Sequence, residues 1–389
     1  MNVNVAGKLK DVISRRNFIA TAAAATVACR SKRATGYSGY AFVANYEGQA
    51  IAAVDLTAFA VVRHIRLNAN PTEVLAHPNI KSVFALTPAT GTVHEIDPGR
   101  LSITRQLQAG STAVSMRVSW QNPRNLYVLY RDPRRLAAFS LETGKVDWQL
   151  TLPGEVRDFD ISNDGRSITL SFGESGQLGI VDTTTHQLAT LDTGTGLGFV
   201  RFRSDGRAIH AADTRERRLL IFDSAQRRLV VRLPLAVRPD QICSHPDGGQ
   251  LFITGAGLDA VVVVYPYQTQ VAETVLAGHT PGAMAASSGV NPYLFIANPA
   301  SGDVTIFNIT TRKVSAAAVV GAEPSFIAIT PDNQFALILN RKSGDMGVLR
   351  IHDRSATPKT SAGLLSKNAG LFTMIPVGSQ PVSAAVRQV

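Results

Sequence analysis

The stretch DGRAIHAADTRERRLLIFDSAQRRLVVRLPLAVRPDQICSHP, from Asp205 to Pro246, holds four short β-leaning runs separated by turn residues. They are Ala208 to Ala212, Leu219 to Asp223, Leu229 to Leu233 and Asp240 to Ser244. Strands this short, with a turn signal roughly every ten residues and no helical period, mark an all-β unit. The unit recurs. Its opening turn, SDGR at Ser204 to Arg207, repeats NDGR at Asn163 to Arg166. It comes again as HPDGGQLFITGAG from His245, VNPYLFIANPASGD from Val290 and TPDNQFALILNRKSGD from Thr330. Weaker copies precede it: QNPRNLYVLYRDPR from Gln121, HPNIKSVFALTPATG from His77 and GYSGYAFVANYEGQ from Gly36. Asp-Gly suits a two-residue hairpin, because Gly accepts positive φ freely and Asp tolerates it while bonding nearby amides.

A period of roughly forty residues with four strands each predicts a β-propeller, in which small twisted sheets pack around a central channel. We letter the strands a to d from the channel outward. Eight copies of strand a and of strand b predict eight blades, with seven as the alternative. The chain begins on strand b, at Tyr40 to Asn45, and ends on an orphan strand a, QPVSAAVRQV. Pairing Pro381 to Val386 beside Ala41 to Asn45 closes the ring and leaves no exposed sheet edge there. Strand c ends in Asp or Asn, as in IAAVDLT from Ile51 and VTIFNIT from Val304, because that short side chain can cap the next turn. One propeller domain thus spans residues 37–389, and residues 354–370, rich in Ser, Gly and Lys, read as a loop insertion before the last strand d.

The segment YLFIANPASGDVTIFNITTRKVSAAAVVGAEPSFIAITPDN, Tyr293 to Asn333, resembles the YVTN-type propeller repeat, as do GYAFVANYEGQAIAAVDL and VGSQPVSAAV. The pattern is a strand ending in Asn, a strand ending in Asp or Asn, and a Pro-led inner strand. Other units depart from it, ending strand b in Thr87, Tyr130, Gly173 or Asp213. The resemblance implies fold rather than function, since propellers host enzymes, binding modules and scaffolds alike.

ISRRNFIATAAAATVAC pairs Arg15 and Arg16 with Phe18 and a weakly apolar run, after a basic start carrying Lys8 and Lys10. This resembles a twin-arginine export signal over residues 1–29, which implies a periplasmic or cell-envelope protein. TVAC resembles a lipobox, with Thr26 where that pattern carries Leu, so Cys29 is the candidate lipidation site; ordinary cleavage within Ala22 to Ala28 is the alternative. Residues 30–36 read as a flexible tether.

Cys29 and Cys243 are the only cysteines, so a disulfide framework is not expected, and Cys243 falls in a predicted inner strand. With no CxxC zinc pair and no CxxCH haem attachment, no metal and no cofactor is predicted. The formal charge is +10; residues 1–29 hold Lys8, Lys10, Arg15 and Arg16 against Asp11, a net +3, which leaves +7. Ten arginines and four acids lie between Arg201 and Arg238. Such a run either keeps outer strands soluble or meets an anionic partner such as an acidic polymer or lipid head groups. A monomer is expected.

In a propeller the d-to-a and b-to-c loops gather on one face around the channel mouth. That places Asn45, Arg131, Arg157, Asp158, Arg215, Arg238, Asp240, His279, Glu323, Asn340 and Arg341 there as candidate ligand-binding residues. The expected function is a non-enzymatic, exported propeller that binds a ligand or protein partner through this face. The alternative is a sugar-lactone hydrolase resembling 6-phosphogluconolactonase, or an oxidoreductase, with Glu323 and His279 as the first candidates for acid–base chemistry. His77 and His245 each precede Pro at the end of a strand a and read as turn residues.

Overall fold

A computed structural model of the chain describes residues 36–121, 123–351 and 370–388. The export signal, Cys29 and nearly all of the tether and of the 354–370 insertion lie outside the described residues. The rest forms eight four-stranded antiparallel sheets, each paired in the order a-b-c-d. The inner strands are Pro381–Arg387 for blade 1, then Glu73–Ala76, Thr112–Val118, Asp158–Ile161, Leu197–Phe202, Gln241–Ser244, Met284–Ala286 and Pro324–Ile329 for blades 2 to 8. Blade 1 is completed as expected: Ala41 pairs with Val386 and Asn45 with Pro381, so the last strand of the chain is the inner neighbour of the first.

The core is distributed rather than central. Each sheet is apolar on both faces, and eight buried clusters fill the eight gaps between neighbouring blades. Phe335, Leu337 and Leu339 of blade 8 meet Ala41, Val43 and Val54 of blade 1 in one of them. Every blade is therefore held by two neighbours, and ring closure supplies the second neighbour to blades 1 and 8.

The turns follow the sequence with one difference. Gly165, Gly206 and Gly248 do take positive φ, at 72°, 72° and 76°. The preceding Asp does not, and the connection is longer than a two-residue hairpin: Ser162 N donates to Ser167 O across the first one. Asp164 and Asp205 instead each accept the N–H two residues on, at 3.0 Å. The carboxylate, rather than a left-handed Asp, shapes this turn. At the end of strand c the expected cap is present: Asp182 accepts Thr184 N and Thr185 N at 2.8 and 2.9 Å, and Asp97 accepts Gly99 N at 2.7 Å.

The outermost strands leave the sheets with exposed edges, and seven of the eight carry a bulge at the same ladder position, blade 4 being the exception. A bulge twists the edge and breaks its hydrogen-bonding register, which discourages pairing with another chain.

His77 and His245 close turns, as read from the sequence. His77 Nδ1 accepts Asn79 N and Ile80 N at 3.1 and 2.9 Å, while Nε2 lies 2.9 Å from Pro123 O. His210, on strand b of blade 5, is different: it is fully buried and neither ring nitrogen has a partner. Burial, with Arg203 adding to it, pushes its pKa down to about 4. An unfolded histidine titrates near 6.5, so the unfolded chain binds this proton first and stability falls as pH drops from about 6.5 towards 4. The full loss is about 3 kcal/mol at about 1.4 per pKa unit. His210→Leu should flatten that part of the stability–pH curve in denaturant melts, and an unchanged acid slope would reject the assignment.

Candidate functional site

The d-to-a loops and b-to-c turns share one face. In blades 1, 6 and 8 strand b ends there in a buried polar side chain that braces the incoming loop. Asn45 Nδ2 donates to Val377 O and Asn340 Nδ2 to Val320 O, each at 2.7 Å, and Thr254 Oγ1 donates to Gly282 O at 2.7 Å. Asn45 and Asn340 are 1% and 0% exposed, so these two candidates hold loop backbone instead of facing the mouth. The facing glycine is part of the same device. A Cβ on Gly321, at φ 141°, would stand 2.5 Å from Asn340 Nδ2, and one on Gly378, at φ 133°, 2.7 Å from Asn45 Nδ2. The signal in the sequence is Gly-x-x-Pro, in GHTP, GAEP and GSQP, at the entry to three inner strands.

Inside the channel, the inner strands of blades 2 to 5 place acid and base alternately. Arg117 Nη1 lies 2.6 Å from Glu73 Oε1, its Nη2 lies 3.6 Å from Asp158 Oδ1, and Arg201 Nη1 bonds the other oxygen of Asp158. The same carboxylates cap free backbone donors of the next blade. Met116 N donates to Glu73 at 2.9 Å, Val200 N to Asp158 at 3.1 Å and Phe202 N to Asp160 at 2.8 Å; Ser383 takes Val74 N at 3.1 Å. An inner strand has no partner on its channel edge, and these side chains supply one. Burial alone would lower the Arg117 pKa, but Glu73, Asp158 and Asp160 more than offset it, and the guanidinium sits above its ordinary value. Burial raises the Asp160 carboxyl, with Arg201 opposing it. Asp158 thus lies within the charged ladder as well as at the mouth. The inner strands of blades 6 to 8, QICS, MAA and PSFIAI, carry no charge, so the channel has one ionic and one neutral arc. Cys243 lies on the neutral arc, its thiol pushed up to about 12 by burial.

Around the mouth most of the candidates are already engaged. Arg131 pairs with Glu155 at 3.2 Å, Arg341 with Glu323 at 3.9 Å, and Arg238 grips Asp240 through two bonds of 2.8 and 3.0 Å. His279 Nδ1 meets Asp259 at 2.8 Å, and that bond, with Thr280 N, holds Asp259 below the usual carboxylate range. Glu323 and His279 therefore each have another partner, and the acid–base pair expected from loop position is not formed. Among the described residues, the exposed side chains of Arg157 and Arg215 have no acidic partner. Glu155 and Asp259 escaped the sequence reading because each lies in a different loop from its partner.

Four clefts formed by the described residues open on this face. One of ≈ 570 Å³ lies at Arg131 to Arg135 beside Glu155, and one of ≈ 670 Å³ between blades 8 and 1 at Glu323, Arg341, Lys342 and Glu47. The other two are neighbours that share lining residues. A cleft of ≈ 230 Å³ is lined by Arg157, Asp158, Phe199 and Arg201, and reaches Asp240 and Gln241. The same two residues line a cleft of ≈ 680 Å³, whose far wall is Gly255 to Asp259 and Thr280 to Gly282. Taken together they run from Arg157 and Arg201 at blade 4, past Asp240 and Gln241, to Leu258 and Pro281 between blades 6 and 7, with the carboxylates of Asp158, Asp240 and Asp259 also in the lining. Gln241, which heads the inner strand of blade 6, and Leu258, in a b-to-c turn, were not among the expected residues, and no motif marks either.

No protein-family model and no curated relative matches the chain. Solved structures match it as a fold. Dihydro-haem d1 dehydrogenase NirN in complex with DHE superposes with a TM-score of 0.73 at 12% identity, over 93% of this chain and 78% of that one. Hydrazine synthase of Kuenenia stuttgartiensis gives 0.57 at 16% identity, and the β-propeller domain of Cps50 (Swd1) from Myceliophteria thermophila 0.56 at 14%. Each of these two covers 72% of this chain and 95% of its own.

Proposed function

We propose that this propeller binds a small amphipathic anion in the groove across its channel mouth. The observation that carries this reading is the groove's polarity: Arg157, exposed and without an acid, stands at one end, and the Leu258–Pro281 shelf at the other. A guanidinium with no internal carboxylate keeps its donors for a ligand anion, and an apolar shelf rewards a hydrophobic body. The likeness to NirN in complex with DHE fits a ring of this kind holding a small molecule. A binding role is favoured over the hydrolase or oxidoreductase because Glu323 and His279 are bound apart, to Arg341 and Asp259. The SRRNFI pattern around Arg15 and Arg16 supports placing this binding in the cell envelope, with Cys29 as the candidate anchor. Asn at the end of strand b and Pro at the head of strand a support a YVTN-type repeat.

Anilinonaphthalene sulfonate, an anion on an aromatic body, is a direct probe. Its fluorescence titration should give saturable binding that Arg157→Ala and Leu258→Asp each weaken about tenfold, or about 1.4 kcal/mol. Arg166→Ala, on the opposite face, should leave it unchanged. Equal dye affinity in all three variants would reject the groove as the site.

A further inference from the structure

The face opposite the mouth is built by the a-to-b and c-to-d turns. The a-to-b turns of blades 2 and 3, residues 77–82 and 118–125, hold Ile80, Lys81, Trp120 and Arg124 without a single acid. Two bonds fasten these turns. His77 Nε2 lies 2.9 Å from Pro123 O, which ties one turn to the other, and Gln121 N donates to Asn163 O at 3.0 Å, which ties the second to blade 4. On this fixed frame Trp120 is 67% exposed and Ile80 38%. Lys81 and Arg124 are exposed as well, and neither enters an ion pair among the described residues. A tryptophan held out by braced turns gains no burial from the fold, and exposed apolar groups rimmed by polar ones mark a contact surface.

Across the channel the same face carries Val290, 92% exposed in the a-to-b turn of blade 7. Blades 3 and 7 stand opposite in a ring of eight, so a flat surface meets Trp120 and Val290 together, whereas a narrow ligand reaches one of them. The chain also enters on this face. The residues before strand b of blade 1 are fixed to its c-to-d turn, where Thr57 Oγ1 donates to Tyr37 O at 3.3 Å and Leu56 N to Gly39 O at 3.0 Å. Arg387, at the end of the last strand, donates to His77 O at 2.8 Å, so this entry point adjoins the patch. Cys29 lies seven residues before Gly36, a reach of at most about 25 Å. With Cys29 as the anchor, this is the face turned to the membrane.

We propose that this face rests on the surface of an anionic lipid bilayer, with Trp120 and Ile80 in the head-group layer, Lys81 and Arg124 against lipid phosphates, and the mouth turned away. Tryptophan favours that layer because its ring is apolar and its N–H polar, and each Lys or Arg near an anionic leaflet adds to the attraction. The Cys29 anchor supports the choice of face; the patch itself stands without it.

The test uses the full chain as Cys29→Ser, which cannot be acylated, with vesicles of phosphatidylglycerol and phosphatidylethanolamine. Trp120 and Trp148 are the only tryptophans. Vesicles should shift the emission to the blue, and lipids brominated near the head of the acyl chain should quench it. Neither should occur in Trp120→Phe, where Trp148 remains. Lys81→Gln with Arg124→Gln should weaken vesicle binding about tenfold at low salt, and less at high salt where the attraction is screened. Arg134→Gln with Lys342→Gln, which removes the same charge from exposed residues of the mouth face, should change it less than about twofold. Vesicle binding without a response from Trp120 would assign the attachment to the residues before 30 and overturn the proposal. So would equal losses in the two charge variants, no vesicle binding, or a Trp120 response to oligo-dT at lower concentration than to lipid. These readings do not involve Arg157 or Leu258, so the groove can fail while this surface stands, and the reverse.

Discussion

A chain truncated after Ser379 should fail to give a soluble, cooperatively melting protein. The lost strand is the inner strand of blade 1, and its absence acts at three places together. Strand b loses its entire antiparallel ladder with Pro381–Arg387 and becomes an unpaired edge facing the channel. The clusters on both sides of blade 1 lose packing: Ala384 and Val386 go from one, Val382 and Ala385 from the other. Ser383 Oγ no longer takes Val74 N, and Arg387 Nη1 no longer donates to His77 O at 2.8 Å, so the link to blade 2 is loosened as well. Burial of the apolar side chains alone is worth several kcal/mol, at about 0.8 per buried CH₂, and the whole stability of a domain is of order 5–15. Size-exclusion chromatography and thermal melts of the truncated chain are the measurement. A monodisperse product with the parental melting temperature would mean that ring closure by the two termini contributes little.

The repeat was legible because its causes are local. Asp or Asn at the end of strand c, the Asp-Gly turns and the alternation of short apolar runs each act within a few residues, so they survive in the sequence as a pattern with a period. What lies between repeats was harder to read. Asn45 and Asn340 look like exposed loop asparagines until Gly378 and Gly321 are seen against them, and then their burial follows from Gly-x-x-Pro. Glu73, Arg117, Asp158 and Arg201 occupy the inner strands of blades 2 to 5, 41 to 44 residues apart, so aligning the repeats would have set acid and base in one alternating column. Taken singly, each is a charged residue in a β-leaning run, and only the channel turns them into neighbours. The groove was least legible: Arg157 was named from its loop, but Gln241 matters only because it lines two neighbouring clefts and Leu258 only because it lines one of them, facts of shape that no local signal encodes.

Asp158 separates a structural from a ligand-binding role within the same cleft, because Asp158→Ala should destabilise the fold by about 3 kcal/mol whether or not a ligand is present. Its carboxylate receives Val200 N at 3.1 Å, Arg201 Nη1 and, at 3.6 Å, Arg117 Nη2. Removing it strands an N–H on the channel edge and leaves Arg201 bonded to Val200 O at 2.6 Å with only Asp160 to balance its charge. Breaking a buried pair from one side costs about 3–5 kcal/mol, and the channel's access to water places this case at the lower end. Asp158→Asn keeps an acceptor for Val200 N but no charge for either arginine, so its loss should fall between that of the alanine variant and zero. High salt should rescue neither, since the pairs lie inside the channel and are screened less than surface charges. Urea melts of the parent and both variants, read beside the dye titration, distinguish the roles. Parental stability with a selective loss of dye binding would make Asp158 a ligand contact, and would remove the edge-capping role assigned to it.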